Sequence, residues 1–235
     1  MALRGVRTAL SFLTTLPVPA PQPFEPADLG RATPHYPLAG YVVGGPVAVV
    51  LWLPVALPVG VRAALALLLW LLLTGMLHLD GLVDSADALL APVPPHRRLE
   101  ILRDVRVGAF GMGVGVTVLL LQWSVLAGAP PWWSPVVAAV AARFVVTGPL
   151  TLVPAARPDG LGAAARGGPW WWGALYVVPL LALPGAWRAV LFALIAAWTG
   201  AWWAARRLGG GLTGDVIGAL VMVCEVAALL TYVVA

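Results

Sequence analysis

The sequence predicts an all-α, polytopic integral membrane bundle. About seven helices cross the bilayer, six at the fewest, behind a short interfacial N-terminal helix. Three observations predict it. Of the 235 residues 61% are hydrophobic and only 10% are charged, more apolar surface than a soluble domain of this length can bury. Seven apolar runs, roughly 38–59, 62–79, 108–129, 132–153, 170–186, 187–206 and 215–235, reach or approach the length that spans a bilayer as helix. The arginines between those runs alternate: one set of connections carries eleven, the other two, and Arg143 falls inside a run. By the positive-inside rule the N-terminus and the arginine-rich connections are cytoplasmic. The fifth and sixth runs are joined by only LPGAW, so a hairpin or re-entrant piece there would leave six spans.

Taken in order, the first 35 residues form a cytoplasmic and interfacial segment. Its apolar part, Ala9–Leu16, is short and stops in LPVPAPQPFEP, unlike a cleavable signal. An interfacial helix with Arg4 and Arg7 near lipid headgroups is expected instead. Tryptophans at 132–133, 170–172 and 202–203 fall near predicted span ends, as an aromatic belt would. All fourteen basic residues are arginine. They flank membrane runs, so the net charge of +4 points to no nucleic acid partner. Cys224 is the single cysteine and forms no intrachain disulfide. The whole chain, 1–235, reads as one integral membrane catalytic domain, and 80–107 reads as its cytoplasmic catalytic loop.

Carboxylates cluster on the cytoplasmic side: Glu25, Asp28, Asp80, Asp84, Asp87, Glu100, Asp104 and Asp159, with Asp215 opening the last run and only Glu225 deep in the membrane. In GMLHLDGLVDSAD, Asp80, Asp84 and Asp87 are spaced i, i+4, i+7, within an arc of about 60° on a helix. Like charges so close repel, and more strongly at a membrane boundary. A solvated helix end bridged to nearby arginines explains them about as well as a divalent ion does. Short aspartate side chains, Gly81 beside Asp80, and the interfacial position favour the ion. Asp80 and Asp87 lie about 10.5 Å apart along the axis, so one ion cannot join both. Asp80 and Asp84 can hold one and Asp87 another, or Asp104 of the next loop can complete a shell.

That loop, LEILRDVRVGAFGMG, offers Arg103 and Arg106 to phosphate, with membrane anchoring as the plainer explanation. In GGGLTGD, Gly210 and Gly211 can present N–H groups to phosphate and Asp215 can add a metal ligand. Thr213 and Asp215 also suit a plain helix cap. Arg143, mid-span, either pairs with Glu225 or floors a polar cavity and reaches a phosphate or sugar. His78 is a candidate acid–base group, but it projects about 200° from Asp80, as a packed histidine would. Glu25 and Glu225 close the candidate set.

The segments FLTTLPVP, YPLAGYVVGG, HLDGLVDSAD, ILRDVRVGAFG, ARPDGLG and GGLTGDVIGA occur in this order along nearly the whole chain. In that order they resemble the cobalamin synthases, the adenosylcobinamide-GDP ribazoletransferases. The resemblance implies a bacterial, multi-pass enzyme of the cytoplasmic (inner) membrane, acting on that membrane's cytoplasmic face. It implies transfer of the cobinamide-phosphoryl group of adenosylcobinamide-GDP to α-ribazole or its 5′-phosphate, with Mg²⁺ and release of GMP, in the nucleotide-loop stage of cobalamin (vitamin B12) biosynthesis. It places Asp80, Asp84 and Asp87 in an acidic motif, Arg103, Asp104 and Arg106 in an RD-x-R motif, and Thr213 and Asp215 in a GGxTGD motif. On that basis Asp80 and Asp84 hold Mg²⁺, and Asp87 or Asp104 holds a second ion or takes the proton. Arg103, Arg106 and Arg143 then balance charge on the leaving phosphate. Expected partners are the two substrates and the bilayer, with a homo-oligomer or other cobalamin-pathway enzymes as further associates.

Three other readings stay open. One is a lipid synthase similar to the CDP-alcohol phosphotransferases, distinguished by CMP rather than GMP release. Another is an ion or cofactor transporter with Arg143 and Glu225 along its path. A scaffold, which tolerates loss of every aspartate, is the third.

Overall fold

The computed structural model describes residues 2–54, 56–158 and 160–233; Asp159 lies outside them. Helix α1 (Ala2–Leu13) buries the face carrying Gly5, Thr8, Ala9 and Leu13. Its two arginines find partners within the protein. Arg4 donates to both carboxylate oxygens of Asp28 at 2.7 Å, and Arg7 donates to the Pro19 carbonyl at 2.9 Å. Both side chains brace the proline-rich arm that leads to α2 (Ala27–Ala32). A short 3₁₀ turn, Thr33–His35, then starts α3 (Tyr36–Trp52).

The second predicted span does not continue into the acidic motif. It is α4 (Val59–Leu73), followed by α5 (Leu77–Leu90) after a bend of 88°. The Thr74 hydroxyl donates back to the carbonyls of Trp70 and Leu71, and Gly75 and Met76 take φ of 57° and 58°. That left-handed pair ends the ladder. Thr15 covers the freed carbonyls, giving its backbone N–H to Leu73 and its hydroxyl to Leu72, both at 2.9 Å.

Helix α6 (Pro95–Ile101) and an exposed loop precede α7 (Ala109–Ala127). Helices α8 (Ser134–Val145) and α9 (Thr147–Leu152) follow as one stretch. After the short turn α10 (Leu161–Ala164), the fifth predicted span is a shorter apolar helix, Trp170–Ala182, with 3₁₀ turns at Trp170–Gly173 and Val178–Ala182 on either side of α11 (Ala174–Val177). Pro179 within it and Pro184 just beyond its end each lack an N–H donor. Helices α12 (Ala186–Arg207) and α13 (Gly214–Leu230) complete the chain.

Among the described residues three helical stretches are long and apolar enough to cross a membrane alone, or four with the bent α4–α5 pair. α3 and α13, at 17 residues each, are about 25 Å long, just short of the hydrocarbon thickness. The α8–α9 stretch is the centre of the bundle, 78% buried against 28% for both α7 and α12. Small residues allow the close packing. Gly40 and Gly44 of α3 lie against the backbone of Val140 and Pro135 in α8. Ala186, Ala189, Ala193, Ala197, Ala201 and Ala204 turn one face of α12 inward, all almost fully buried. Outside, Leu65, Leu68, Leu72, Val116, Leu120, Phe192 and Ile195 are exposed, a surface suited to lipid rather than water.

Candidate active site

A cavity of about 270 Å³ opens where α5, α13 and the segment carrying Arg157 meet. Two local devices build it. Gly81 lets α5 press on the first turn of α13, since a Cβ there would stand 2.6 Å from the Asp215 carbonyl oxygen. Gly81 lines the cavity as well. A parallel bridge between Ala155 and Leu212 then ties that segment to the residues leading into α13, through Ala156 N–H to Leu212 O at 2.9 Å and Leu212 N–H to Pro154 O at 2.8 Å.

The exposed end of the cavity is polar. Asp80, Asp215, Thr213 and Arg157 line it. The Thr213 hydroxyl caps α13 by accepting from Val216 N–H at 3.4 Å, and the first turn of α13 directs its remaining N–H groups toward the same space. Arg157 donates through Nη2 to the Leu99 carbonyl at 2.7 Å, and its Nη1 stands 3.8 Å from Asp215 Oδ2. Its buried Nε has no partner among the described residues. Asp84, half-buried one turn beyond Asp80, does not line the cavity, yet it lies in the combined field of Asp80, Asp215 and Asp87.

The buried end is mostly apolar, with Phe12, Tyr36, Val146, Leu150, Ile217 and Val221 along it. His78, 4% exposed, and Arg143, fully buried, reach it as well. Arg143 Nη1 donates to Glu225 Oε1 at 2.7 Å and to the Ala139 carbonyl at 2.9 Å. The Trp70 indole N–H donates to the same Glu225 oxygen at 3.2 Å. Of the two sequence alternatives for Arg143, the structure shows the pairing with Glu225, and the residue also borders the cavity.

Several candidates are corrected. Asp87 accepts from Gly108 N–H at 2.7 Å and from Gly111 N–H at 2.8 Å. It therefore caps α7 from the neighbouring helix rather than offering its oxygens to an ion. Asp104 is held by Arg106, through Nη2 at 2.6 Å and Nε at 3.0 Å. That hydrogen-bonded guanidinium pulls the Asp104 carboxyl down to about 2, away from the range that best suits a general base at neutral pH. Arg103 and Arg106 are exposed and outside the cavity lining. Glu25 is exposed, 3.4 Å from Arg31. Gly210 is exposed, and Gly211 lets two backbones meet, because a Cβ would fall 2.6 Å from Ala156 N. Neither lines the cavity. Arg157 is the residue sequence reasoning missed as functional; ARPDGLG marked its segment, but its charge passed for membrane anchoring.

Among the described residues no three His, Cys, Asp or Glu side chains form a cluster able to hold a metal alone. Mg²⁺ demands less: one or two carboxylates, with substrate phosphates and waters completing the octahedron. Asp80 and Asp215, which line the cavity with Asp84 one turn beyond, are hard oxygen donors of that kind. The same opening presents Arg157 and a helix N-terminus to anions. Juxtaposed in this way, the groups can neutralise a diphosphate from both sides.

Comparison with known proteins gives a consistent result. The family model described as cobalamin-5-phosphate synthase matches residues 5–233. An adenosylcobinamide-GDP ribazoletransferase of Deinococcus radiodurans is 56% identical over 226 residues, 96% of this chain and 84% of that protein. Proteins of the same name from Desulfitobacterium hafniense and Roseiflexus sp. are 36% and 37% identical, over 97% and 95% of this chain and 96% and 87% of theirs. No solved structure matches the chain. With the family model covering nearly every residue and relatives this similar along their length, the chain belongs to the cobalamin-5-phosphate synthase family.

Proposed function

We propose that this chain transfers the cobinamide-phosphoryl group of adenosylcobinamide-GDP to α-ribazole or its 5′-phosphate, releasing GMP. One observation carries the reading: Asp80 and Asp215 share a cavity mouth with Arg157 and the N-terminus of α13, in a chain 56% identical to a ribazoletransferase. The eleven-to-two arginine bias supports six to seven spans of the cytoplasmic membrane, with that mouth on the cytoplasmic side.

In this mechanism a hydroxyl oxygen of α-ribazole attacks the phosphorus bonded to cobinamide. The bond from that phosphorus to the GMP oxygen breaks, and GMP leaves with the electron pair. Asp80 and Asp215, with Asp84 behind them, would hold Mg²⁺, which would supply charge neutralisation of the diphosphate. Arg157 steadies the leaving phosphate, exchanging its loose 3.8 Å contact with Asp215 for a substrate oxygen. Asp84, half-buried and in the field of Asp80, Asp215 and Asp87, takes the hydroxyl proton. Positioning and electrostatics carry such a transfer.

The test is GMP release from adenosylcobinamide-GDP by purified protein in lipid, with and without Mg²⁺ and α-ribazole. Release that needs both supports the reading. Turnover without Mg²⁺, CMP release from a CDP-alcohol, or solute flux through liposomes without turnover would refute it.

A further inference from the structure

We propose that the buried end of the cavity receives the flat base of α-ribazole, and that His78 gives its N–H to that base's free ring nitrogen. The inference rests on the function proposed above and assigns the acceptor its place in that site. His78 stands in the first turn of α5, two residues before Asp80. It is 4% exposed and lines the cavity. Its ring makes no hydrogen bond with any described residue, yet its nitrogens are not walled in, as Arg143 Nε and Nη2 are. The little surface that His78 keeps therefore belongs to the cavity it lines. A buried N–H left without a partner is costly, so this position suits a ligand that accepts one hydrogen bond.

The walls narrow the choice of ligand. Phe12, Tyr36, Val146, Leu150, Ile217 and Val221 surround that end with aliphatic and aromatic carbon, and the rings of Phe12 and Tyr36 stand with centroids 6.3 Å apart. Arg143 adds no free donor, because its Nη1 is committed to Glu225 and Ala139 and its other nitrogens are sealed off. A neutral imidazole carries one N–H. The benzimidazole of α-ribazole is a flat, mostly hydrocarbon bicycle with two ring nitrogens. One is bonded to the ribose and the other is a bare acceptor. The base thus shows one polar atom to an end that offers one N–H, and its faces suit the aromatic lining. Guanine carries an amino group beside its O6 and N7 acceptors, and most of these would lie unmet against carbon. A lipid chain would match the walls but leave His78 unmet. A cavity of about 270 Å³ is also below the usual range for enclosing a drug-sized ligand, so the far larger corrin ring stays outside. With the base seated inward, the ribose lies toward the exposed end, beside Asp80 and Asp215, where its hydroxyl meets the phosphorus.

The test is acceptor specificity in GMP release by purified protein in lipid nanodiscs, with Mg²⁺ and adenosylcobinamide-GDP. α-Ribazole is compared with its indole analogue, in which a C–H replaces the free ring nitrogen. The analogue loses only the acceptor atom, and its KM is about 10- to 100-fold higher at similar kcat. His78→Ala removes the discrimination: the two acceptors share one raised KM, while the KM for adenosylcobinamide-GDP is unchanged. His78→Gln, which keeps an N–H donor, restores part of the preference for α-ribazole. A merely structural His78 would weaken both acceptors alike and leave their ratio as it was. The analogue comparison needs no variant, so it decides even if both substitutions misfold. Equal KM values for the two acceptors on the parent chain, with GMP still released, overturn the assignment and leave the proposed function standing. A loss in His78→Ala that falls on the KM for adenosylcobinamide-GDP places guanine at this end and overturns the assignment as well. Absence of GMP release with either acceptor overturns the proposed function itself.

Discussion

Two arginine–carboxylate pairs close at nearly the same distance: Arg106 to Asp104 at 2.6 Å and Arg143 to Glu225 at 2.7 Å. The first stands in water, with the Arg106 side chain 85% exposed; the second is 1% and 2% exposed. In the first, each partner exchanges solvent for a neighbour, little is gained, and nothing is left wanting. In the second, two ions have left water for one shared contact, and two guanidinium donors remain unmet. Contact distance says nothing of this difference. Burial and the donors left over decide which pair is a surface contact and which ties two buried helices together.

Breaking the buried pair should have the largest effect. Glu225→Ala strands a charge in the bundle and is expected to destabilise it by roughly 3–5 kcal/mol, read from thermal unfolding in detergent. Adding Arg143→Met restores much of that loss, and a silent Glu225→Ala would contradict the pair's burial. Next comes the mouth. Asp84→Asn keeps the unfolding midpoint but lowers turnover by about 100-fold or more, measured as GMP release at limiting Mg²⁺; wild-type turnover there would remove Asp84 from the chemistry.

Asp87→Ala sharpens the contrast along one helix. It deletes the cap on Gly108 and Gly111, which should cost about 1–2 kcal/mol and quicken hydrogen exchange at the start of α7. Turnover per folded molecule then falls far less than in Asp84→Asn. The surface pair gives the smallest effect. Arg106 holds the Asp104 carboxyl at about 2, below its ordinary value. Whatever stability the pair lends is present above the ordinary carboxylate pKa of about 4 and is lost as pH falls through that lower value. Unfolding midpoints of the parent chain and Asp104→Asn should coincide across the neutral range, and a gap there would show the loop to be more than a surface.

Much of the site was legible wherever the signal was local. The i, i+4 spacing placed Asp80 and Asp84 on one helix, and Thr213 before an apolar run read correctly as a cap. The same periodicity could not separate Asp84 from Asp87, because the N–H groups that occupy Asp87 come from a helix more than twenty residues on. Nor could it separate Arg157 from the arginines that only anchor loops. The bridge of Ala155 to Leu212, which turns the Arg157 segment toward α13, joins residues far apart in sequence.

By itself the sequence determined the all-helical membrane class, the clustering of acids toward one side, and the family, because apolar run length, charge asymmetry and ordered motifs are properties of the chain. Tertiary structure alone decided which acids remain free, where the second span bends, and that Arg143 is buried against Glu225 beside a cavity. Those outcomes depend on which groups from distant segments arrive first at each hydrogen-bonding site, and one-dimensional spacing carries no record of that.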